Sequence, residues 1–114
     1  MSSRQQRKFP RSVVVHGVTY RVAMAKSPLK YGGAEVYGYC DLSNHVIYID
    51  RTLSESKKWS TLIHELGHAA YEETGFGYLM ALQVENPSVR EYVEEDMMRR
   101  LLPAFLAAVD TVRH

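Results

Sequence analysis

Residues 61–70 read TLIHELGHAA, and they are the part of the chain that says most about its fold and chemistry. His64, Glu65 and His68 form the pattern His-Glu-x-x-His within this stretch. Histidines four positions apart lie one above the other on a helix, so their imidazoles can bind one metal ion. Glu65 lies beside the first histidine, where a carboxylate can accept a proton from zinc-bound water. The pattern therefore predicts a helical zinc site suited to peptide hydrolysis.

The same pattern can arise by chance in a helix whose histidines are ordinary surface or core residues. Two features of the surrounding sequence favour a metal site here. Apolar residues recur at helical spacing on both sides of the pattern. Small residues at Gly67, Ala69 and Ala70 allow another element to pack closely behind the helix.

A catalytic zinc ion takes three protein ligands, so a third has to be found. The metzincin continuation fails, because Tyr71 and Thr74 occupy the positions where it requires glycine and histidine. Other candidates are glutamates: Glu72 and Glu73 on the same helix, Glu85, and the acidic run from Glu91 to Asp96.

Within the acidic run, the register of the last helix selects between two residues. Met98 belongs to the predicted buried face, and counting back three positions reaches Glu95, whereas counting back four reaches Glu94. We choose Glu95 as the third ligand, with Glu94 as the alternative. The other acids of the run are expected to form a solvated face near the start of the helix.

Strand signals precede the zinc motif. Val13–Val15 and Val18–Ala23 flank Gly17 and predict a β-hairpin. Residues 26–35 contain Pro28 and two glycines, which indicate a loop, and Val36–Cys40 follows as a strand. Residues 45–50 nearly alternate between polar and apolar side chains, which predicts a strand close to an edge of the sheet.

Helical signals follow the strands. Thr52 or Ser54 is the candidate N-cap of the motif helix, and Gly75 and Gly77 are expected to end it. A short helical piece is predicted over residues 78–84, and Asn86-Pro87 begins a helix that continues to Val109. Pro103 should kink or split that helix. Strands first and helices second predict an α+β domain: a small, mostly antiparallel sheet of three to four strands, then the motif helix and a C-terminal helix.

Length and charge limit what the protein can be. The 114 residues suffice for a single domain and exclude a repeat array or a large multidomain enzyme. Fourteen Lys and Arg against 13 Asp and Glu give a net charge of +1, which predicts no overall attraction to nucleic acid. Cys40 is the single cysteine, which excludes an internal disulfide and suits a reducing compartment.

The first 11 residues differ from the rest of the sequence. They carry four basic residues between polar ones, so we expect a flexible tail over residues 1–11 and a domain over residues 12–114. The segment lacks the apolar stretch of a secretory signal, and no window approaches the roughly 20 apolar residues of a membrane helix. We therefore expect a cytoplasmic protein without a membrane partner. Binding of nucleic acid is expected of the tail alone, if at all.

Three segments carry a resemblance to known proteins: Gly38 to Asp41, Val46 to Asp50 and Thr61 to Ala69. They resemble the ImmA/IrrE-type zinc metallopeptidases, especially their minimal phage and prophage forms, and also the minigluzincins. This resemblance implies a minimal zincin-like fold and a zinc cofactor. It implies that His64 and His68 bind zinc, that Glu65 is the general base, and that Glu95 matches the third ligand.

The resemblance also implies what the enzyme acts on. The substrate would be a protein or peptide, such as a bacterial or phage regulatory protein in the host cytoplasm. It would pair as an extended chain with an exposed strand above the zinc, for which residues 45–50 are the expected segment. Tyr71 or Tyr78 could donate a hydrogen bond to the oxyanion, although packing roles are expected for both. Cys40 could bind the zinc and keep the enzyme latent, although a buried, inert thiol is the simpler expectation.

A different class of function has to be weighed against the peptidase. The zincin-like fold could organise a surface for a partner protein without hydrolysis, and such a module would keep its function in the Glu65→Gln variant. A purely structural zinc would usually be closed by four ligands and would not need an acid at the second position of the motif. The sequence therefore favours the peptidase.

Overall fold

A computed structural model describes residues 8–112 as a four-stranded sheet with a small hairpin, followed by helices. The strands are β1 (Ser12–Val15), β2 (Val18–Ala25), β3 (Lys30–Tyr31), β4 (Ala34–Glu35), β5 (Gly38–Asp41) and β6 (Val46–Asp50). The helices are α1 (Glu55–Glu73), α2 (Phe76–Gln83), α3 (Pro87–Asp96), a π-helical turn (Met97–Leu101) and α4 (Leu102–Val112). The predicted α+β class is confirmed.

The four-stranded sheet has the order β1-β2-β6-β5. β1 pairs with β2 and β5 pairs with β6 in antiparallel fashion, whereas β2 and β6 are parallel. Two of these three pairings are antiparallel, as the sequence predicted. The hairpin of β3 and β4 lies within the segment predicted as a loop.

Residues 45–50 contain a strand next to the edge of the sheet, as predicted, because β6 lies between β2 and the edge strand β5. The expectation that this strand is exposed is wrong. Its side chains are buried on both faces, with Ile47 and Ile49 fully so. The alternation came partly from Tyr48 and Asp50, and both side chains make contacts within the fold. The Tyr48 ring packs on Tyr39 at 4.9 Å, and Asp50 accepts two hydrogen bonds from Thr52. The edge next to β6 is β5.

Local signals place the start of α1. The Ser54 hydroxyl caps the helix by accepting the Lys57 backbone N–H at 3.2 Å. Just before it, Asp50 accepts the Thr52 backbone N–H and hydroxyl at 2.9 and 2.7 Å, which fixes the turn from β6 into α1. These hydrogen bonds lower the pKa of Asp50. Motif helix and central strand are thus joined by a short, hydrogen-bonded connection.

The predicted helix boundaries are largely confirmed. Gly75, with φ +83, follows the end of α1, while Gly77 lies inside α2 instead of ending a helix. The Asn86 side chain caps α3 by accepting the Ser88 backbone N–H at 2.9 Å, with Pro87 in the first turn.

The predicted break near Pro103 takes the form of the π-helical turn. Proline has no backbone N–H to donate to the carbonyl four residues earlier. The chain widens just before it, and the Leu102 N–H donates to the Met97 carbonyl five residues back. α3 and α4 therefore follow one another with a widened turn between them.

The core lies between the sheet and α1. Tyr20, Ile47, Ile49 and Leu62 are the largest fully buried side chains. The Tyr20 hydroxyl donates to Glu73 Oε2 at 2.5 Å, which joins β2 to the last turn of α1. This hydrogen bond adds to the packing that holds the motif helix on the sheet.

The expected tail falls mostly outside the described residues, which exclude 1–7. Of its last four residues, Phe9 packs on the Trp59 ring at a centroid distance of 4.7 Å. The Arg11 carbonyl accepts the Val22 backbone N–H at 2.8 Å. None of the helices within residues 8–112 has the length and apolar character of a membrane span.

Candidate metal centre

Two helices bring the predicted site residues together. α1 presents His64 and His68 one turn apart, and the end of α3 brings Glu94 and Glu95 against them. The close approach requires Gly67, because a Cβ at this position would overlap the Met98 sulfur and lie 2.8 Å from Leu102 Cδ2. The glycine inside the motif therefore determines how near the second helix can come.

Three donor atoms form a nearly equilateral triangle. His64 Nε2 lies 3.1 Å from Glu95 Oε1, His68 Nε2 lies 3.2 Å from the same oxygen, and the two nitrogens are 3.3 Å apart. A tetrahedral zinc ion with bonds of about 2.0–2.1 Å would separate its ligands by roughly 3.3–3.4 Å. The triangle therefore fits a small tetrahedral ion with a fourth position open. Among residues 8–112, these three side chains form the group that could hold a metal.

The neighbouring Glu94 has a different place. Its Oε2 lies 2.6 Å from His68 Nδ1, the ring nitrogen that faces away from the triangle. A carboxylate only accepts hydrogen bonds, so this contact places the imidazole proton on Nδ1 and leaves the lone pair on Nε2. Adjacent acids thus take two tasks, with Glu95 among the donor atoms and Glu94 orienting a histidine.

The two histidines experience opposite electrostatic environments. Burial lowers the pKa of His64, and the neighbouring His68 lowers it further. Burial also disfavours the charged form of His68, but the Glu94 hydrogen bond and the carboxylates of Glu65 and Glu95 outweigh it, so its pKa is raised. The carboxylates that face His68 make its ring the more basic of the two.

Glu65 is buried, with 8% of its surface exposed. Desolvation raises the pKa of Glu65 to about 7. The repulsion of Glu95 also raises this pKa, whereas the attraction of His68 lowers it. A cation held by the donor triangle would favour the ionised form of Glu65, in which the carboxylate can accept a proton. This position suits the role that the sequence predicted for it.

An open cleft of about 1040 Å³ gives access to the site. His64, Glu65 and Glu95 are among the residues that line it. Residues 35–38, which lead into β5, also line the cleft, as do residues of the π-helical turn and the start of α4. The first residue of the edge strand β5 therefore borders the cleft.

β5 lies close to α1 because of Gly38. A Cβ there would come within 2.6 Å of the Tyr48 carbonyl and 2.7 Å of Thr61 Cγ2. Tyr37 accepts the Asp50 N–H at 2.8 Å, so alternate residues along β5 face β6. Gly38 and Cys40 consequently direct their backbone groups towards the open edge. Sequence reasoning did not identify β5 as the open edge, because it expected residues 45–50 to pair with the substrate. Gly38 was the signal that a close backbone approach occurs here.

The structure locates three other residues considered from the sequence. Burial and the nearby Glu65 raise the pKa of the Cys40 thiol to about 12, and within residues 8–112 the metal-capable group does not include this thiol. Tyr71 is buried and stacks on Phe76 at 5.8 Å, and Tyr78 on α2 is largely exposed. Neither tyrosine lines the cleft.

The fold and the donor group define a class: an α+β domain in which a His-Glu-x-x-His helix and a glutamate from the next long helix form a candidate metal centre. Residues 22–93 match the IrrE N-terminal-like domain of the M78 peptidases, and the chain belongs to this family. The family indicates a function of the metallopeptidase type on protein or peptide substrates. The matched segment ends just before Glu94 and Glu95, so their assignment depends on the geometry.

Searches of curated proteins and of solved structures found no match to this chain.

Proposed function

We propose that the protein is a zinc-dependent endopeptidase in which His64, His68 and Glu95 hold the ion and Glu65 is the general base. The observation that carries this proposal is the donor triangle, with edges of 3.1–3.3 Å, next to a buried carboxylate. Two imidazoles and one carboxylate are the ligand set of catalytic zinc, which keeps a fourth position for water or substrate. When bound, the ion lowers the pKa of water to about 7 and polarises the substrate carbonyl.

Glu65 manages the proton in this proposal. Its buried carboxylate accepts the proton of the attacking water and then passes it to the amine of the departing peptide fragment. Burial keeps bulk water from competing for that carboxylate. A glutamine at this position retains the size of the side chain and loses the ability to accept the proton.

Glu94 supports the metal site without binding the ion. Its contact with His68 Nδ1 holds the ring in the orientation that presents Nε2. Such a partner increases the basicity of a histidine ligand and improves metal affinity.

The substrate binds along β5 in an extended conformation. The outward backbone groups of Gly38 and Cys40 supply the hydrogen bonds of an added antiparallel strand. In this proposal the scissile bond lies in the cleft that Gly38, Glu65 and Met98 line. A cytoplasmic regulatory protein of bacterial or phage origin is the substrate class that the family resemblance suggests.

Metal content and cleavage together test the proposal. Elemental analysis of tag-free protein should find one zinc per chain in the wild type and in Glu65→Gln, and a loss of zinc in Glu95→Ala. Hydrolysis of a mixed peptide library, followed by mass spectrometry, should occur with the wild type and stop in Glu65→Gln. The exposed Glu72 on the same helix offers the matched control, and Glu72→Gln should remain active. Cleavage that persists in Glu65→Gln would refute the proposed role of Glu65, and zinc that persists in Glu95→Ala would refute the ligand assignment.

A further inference from the structure

α4 has the composition of a buried helix but contributes no buried residue. Its eleven residues read LPAFLAAVDTV, with Asp110 as the one charged side chain. Helices that are apolar on all sides are normally enclosed by protein or lipid. Here Phe105 is 61% exposed and Val112 is 83% exposed. The helix therefore lacks a cover within residues 8–112.

The apolar residues follow the spacing of a coiled coil. Within α4, Leu102, Phe105, Val109 and Val112 are separated by three, four and three positions. The start of this seam is used inside the domain, because Leu102 packs beside Gly67 on α1. Beyond its contact with α1, the seam continues along α4, where Phe105 and Val112 are exposed to solvent. A second helix is the element that such a seam packs against.

A groove lies beside the exposed part of the seam. It has a volume of about 350 Å³ and runs between α1 and the π-helical turn, with Ala70, Phe76 and Phe105 among its walls. None of the residues that line it is an acid or a base at neutral pH. Groove and seam together form what we call the α4 patch, defined by Phe76, Leu101, Leu102 and Phe105.

We propose that the α4 patch is the interface of a symmetric dimer, in which the α4 helices of two copies of this chain pack against each other. In a twofold interface the same surface occurs on both sides, so the patch must be complementary to itself. The α4 patch meets this condition in two ways. It contains both projecting side chains and a groove, and its lining can face a copy of itself without burying like charges.

The available area fits a dimer. Phe76, the π-helical turn and α4 expose five large apolar side chains, each by 38–83%. At roughly 100 Å² of exposed surface per side chain, this amounts to about 500 Å² of apolar surface per copy. Stable interfaces bury about 800 Å² on each partner, of which about 65% is apolar in homodimers, or roughly 500 Å². A single small ligand in the groove would leave most of this apolar surface in water.

Sedimentation equilibrium of the full chain tests the proposal over a hundredfold range of concentration. The wild type should show a mass of about 26 kDa, twice the 13.1 kDa of one chain, and should dissociate on dilution. Phe105→Glu and Leu101→Glu should each weaken association by roughly tenfold or more, because they place a charge in the interface. Val14→Glu is the matched control, since Val14 on β1 is 69% exposed and lies outside the α4 patch. It should leave the dimer intact.

Zinc content and circular dichroism show whether each variant is folded, because His64, His68 and Glu95 lie outside the substituted positions. A wild type that stays at 13.1 kDa throughout would overturn the dimer and leave the α4 patch to a different protein. A dimer that persists in folded Phe105→Glu and folded Leu101→Glu would also overturn it, because association would then use another surface.

Discussion

Replacing Glu65 with glutamine should stabilise the metal-free protein above neutral pH, although it removes the proposed general base. Burial raises the pKa of Glu65 from 4.5 to about 7. The folded state therefore binds the Glu65 proton more tightly than the unfolded state does. This contribution to stability is complete below the unfolded pKa of 4.5 and is lost as the pH rises through about 7.

The size of the effect follows from the shift. A difference of 2.5 between 4.5 and about 7 corresponds to roughly 3 kcal/mol, at 1.36 kcal/mol per pKa unit. About 2.5 kcal/mol of this should appear between pH 5 and pH 8.5, since part of the titration lies below pH 5. Glutamine has nearly the same shape and no charge, so the variant lacks this dependence.

Urea denaturation in the presence of a chelator measures the difference. The free energy of unfolding of Glu65→Gln minus that of the wild type should increase with pH and level off above pH 8. Taking the difference cancels the titration of groups that do not interact with Glu65, and what remains is the titration of Glu65 together with its coupling to His68 and Glu95. A difference that varies by less than about 0.5 kcal/mol between pH 5 and pH 8.5 would refute the argument that a charged Glu65 is poorly solvated.

Two controls sharpen the test. Glu72→Gln removes an exposed carboxylate from the same helix and should show no such pH dependence. With zinc bound at high pH, the wild type should be more stable than Glu65→Gln, because a nearby cation favours the ionised form of Glu65.

Three further predictions concern the elements that support the site. Glu94→Gln should lower zinc affinity by roughly 10- to 100-fold without abolishing binding, because the variant holds the His68 ring less firmly in its orientation. Competition with a chromogenic chelator measures this affinity, and an unchanged value would contradict the proposed role of Glu94. Gly67→Ala should also weaken zinc binding, because the added methyl group would displace Met98 and the helix that carries the third ligand. Overpacking should lower the free energy of unfolding by about 1–3 kcal/mol. A variant that binds zinc fully and is as stable as the wild type would contradict this prediction. Tyr20→Phe should reduce the free energy of unfolding, measured by urea denaturation, by about 1.5 kcal/mol. This value is near the lower end of the range for hydrogen bonds to charged groups, because Glu73 is partly exposed and can be rehydrated. Wild-type stability in this variant would show that the hydrogen bond adds nothing.

Local chemistry made much of the fold predictable. Several predicted features depend only on residues that are close together in the chain. They are the hairpin of β1 and β2, the helix caps at Ser54 and Asn86, and the widened helix before Pro103. The strand order could not be derived in the same way. β6 pairs in parallel with β2, more than 20 residues earlier, and nothing within residues 45–50 specifies that neighbour.

The candidate site divides along the same line. The sequence by itself determined that His64 and His68 lie together, because the helical repeat brings residues four apart onto one face wherever the helix lies. Only the tertiary structure shows that Glu95 lies among the donor atoms and that Glu94 contacts His68 Nδ1. Consecutive residues on a helix differ by about 100° in direction, and their relation to α1 depends on how the two helices pack. That packing is governed by contacts such as Gly67 with Met98, which join residues 31 positions apart. Spacing along the chain sets directions within one helix, whereas distances between helices arise only when the core is packed.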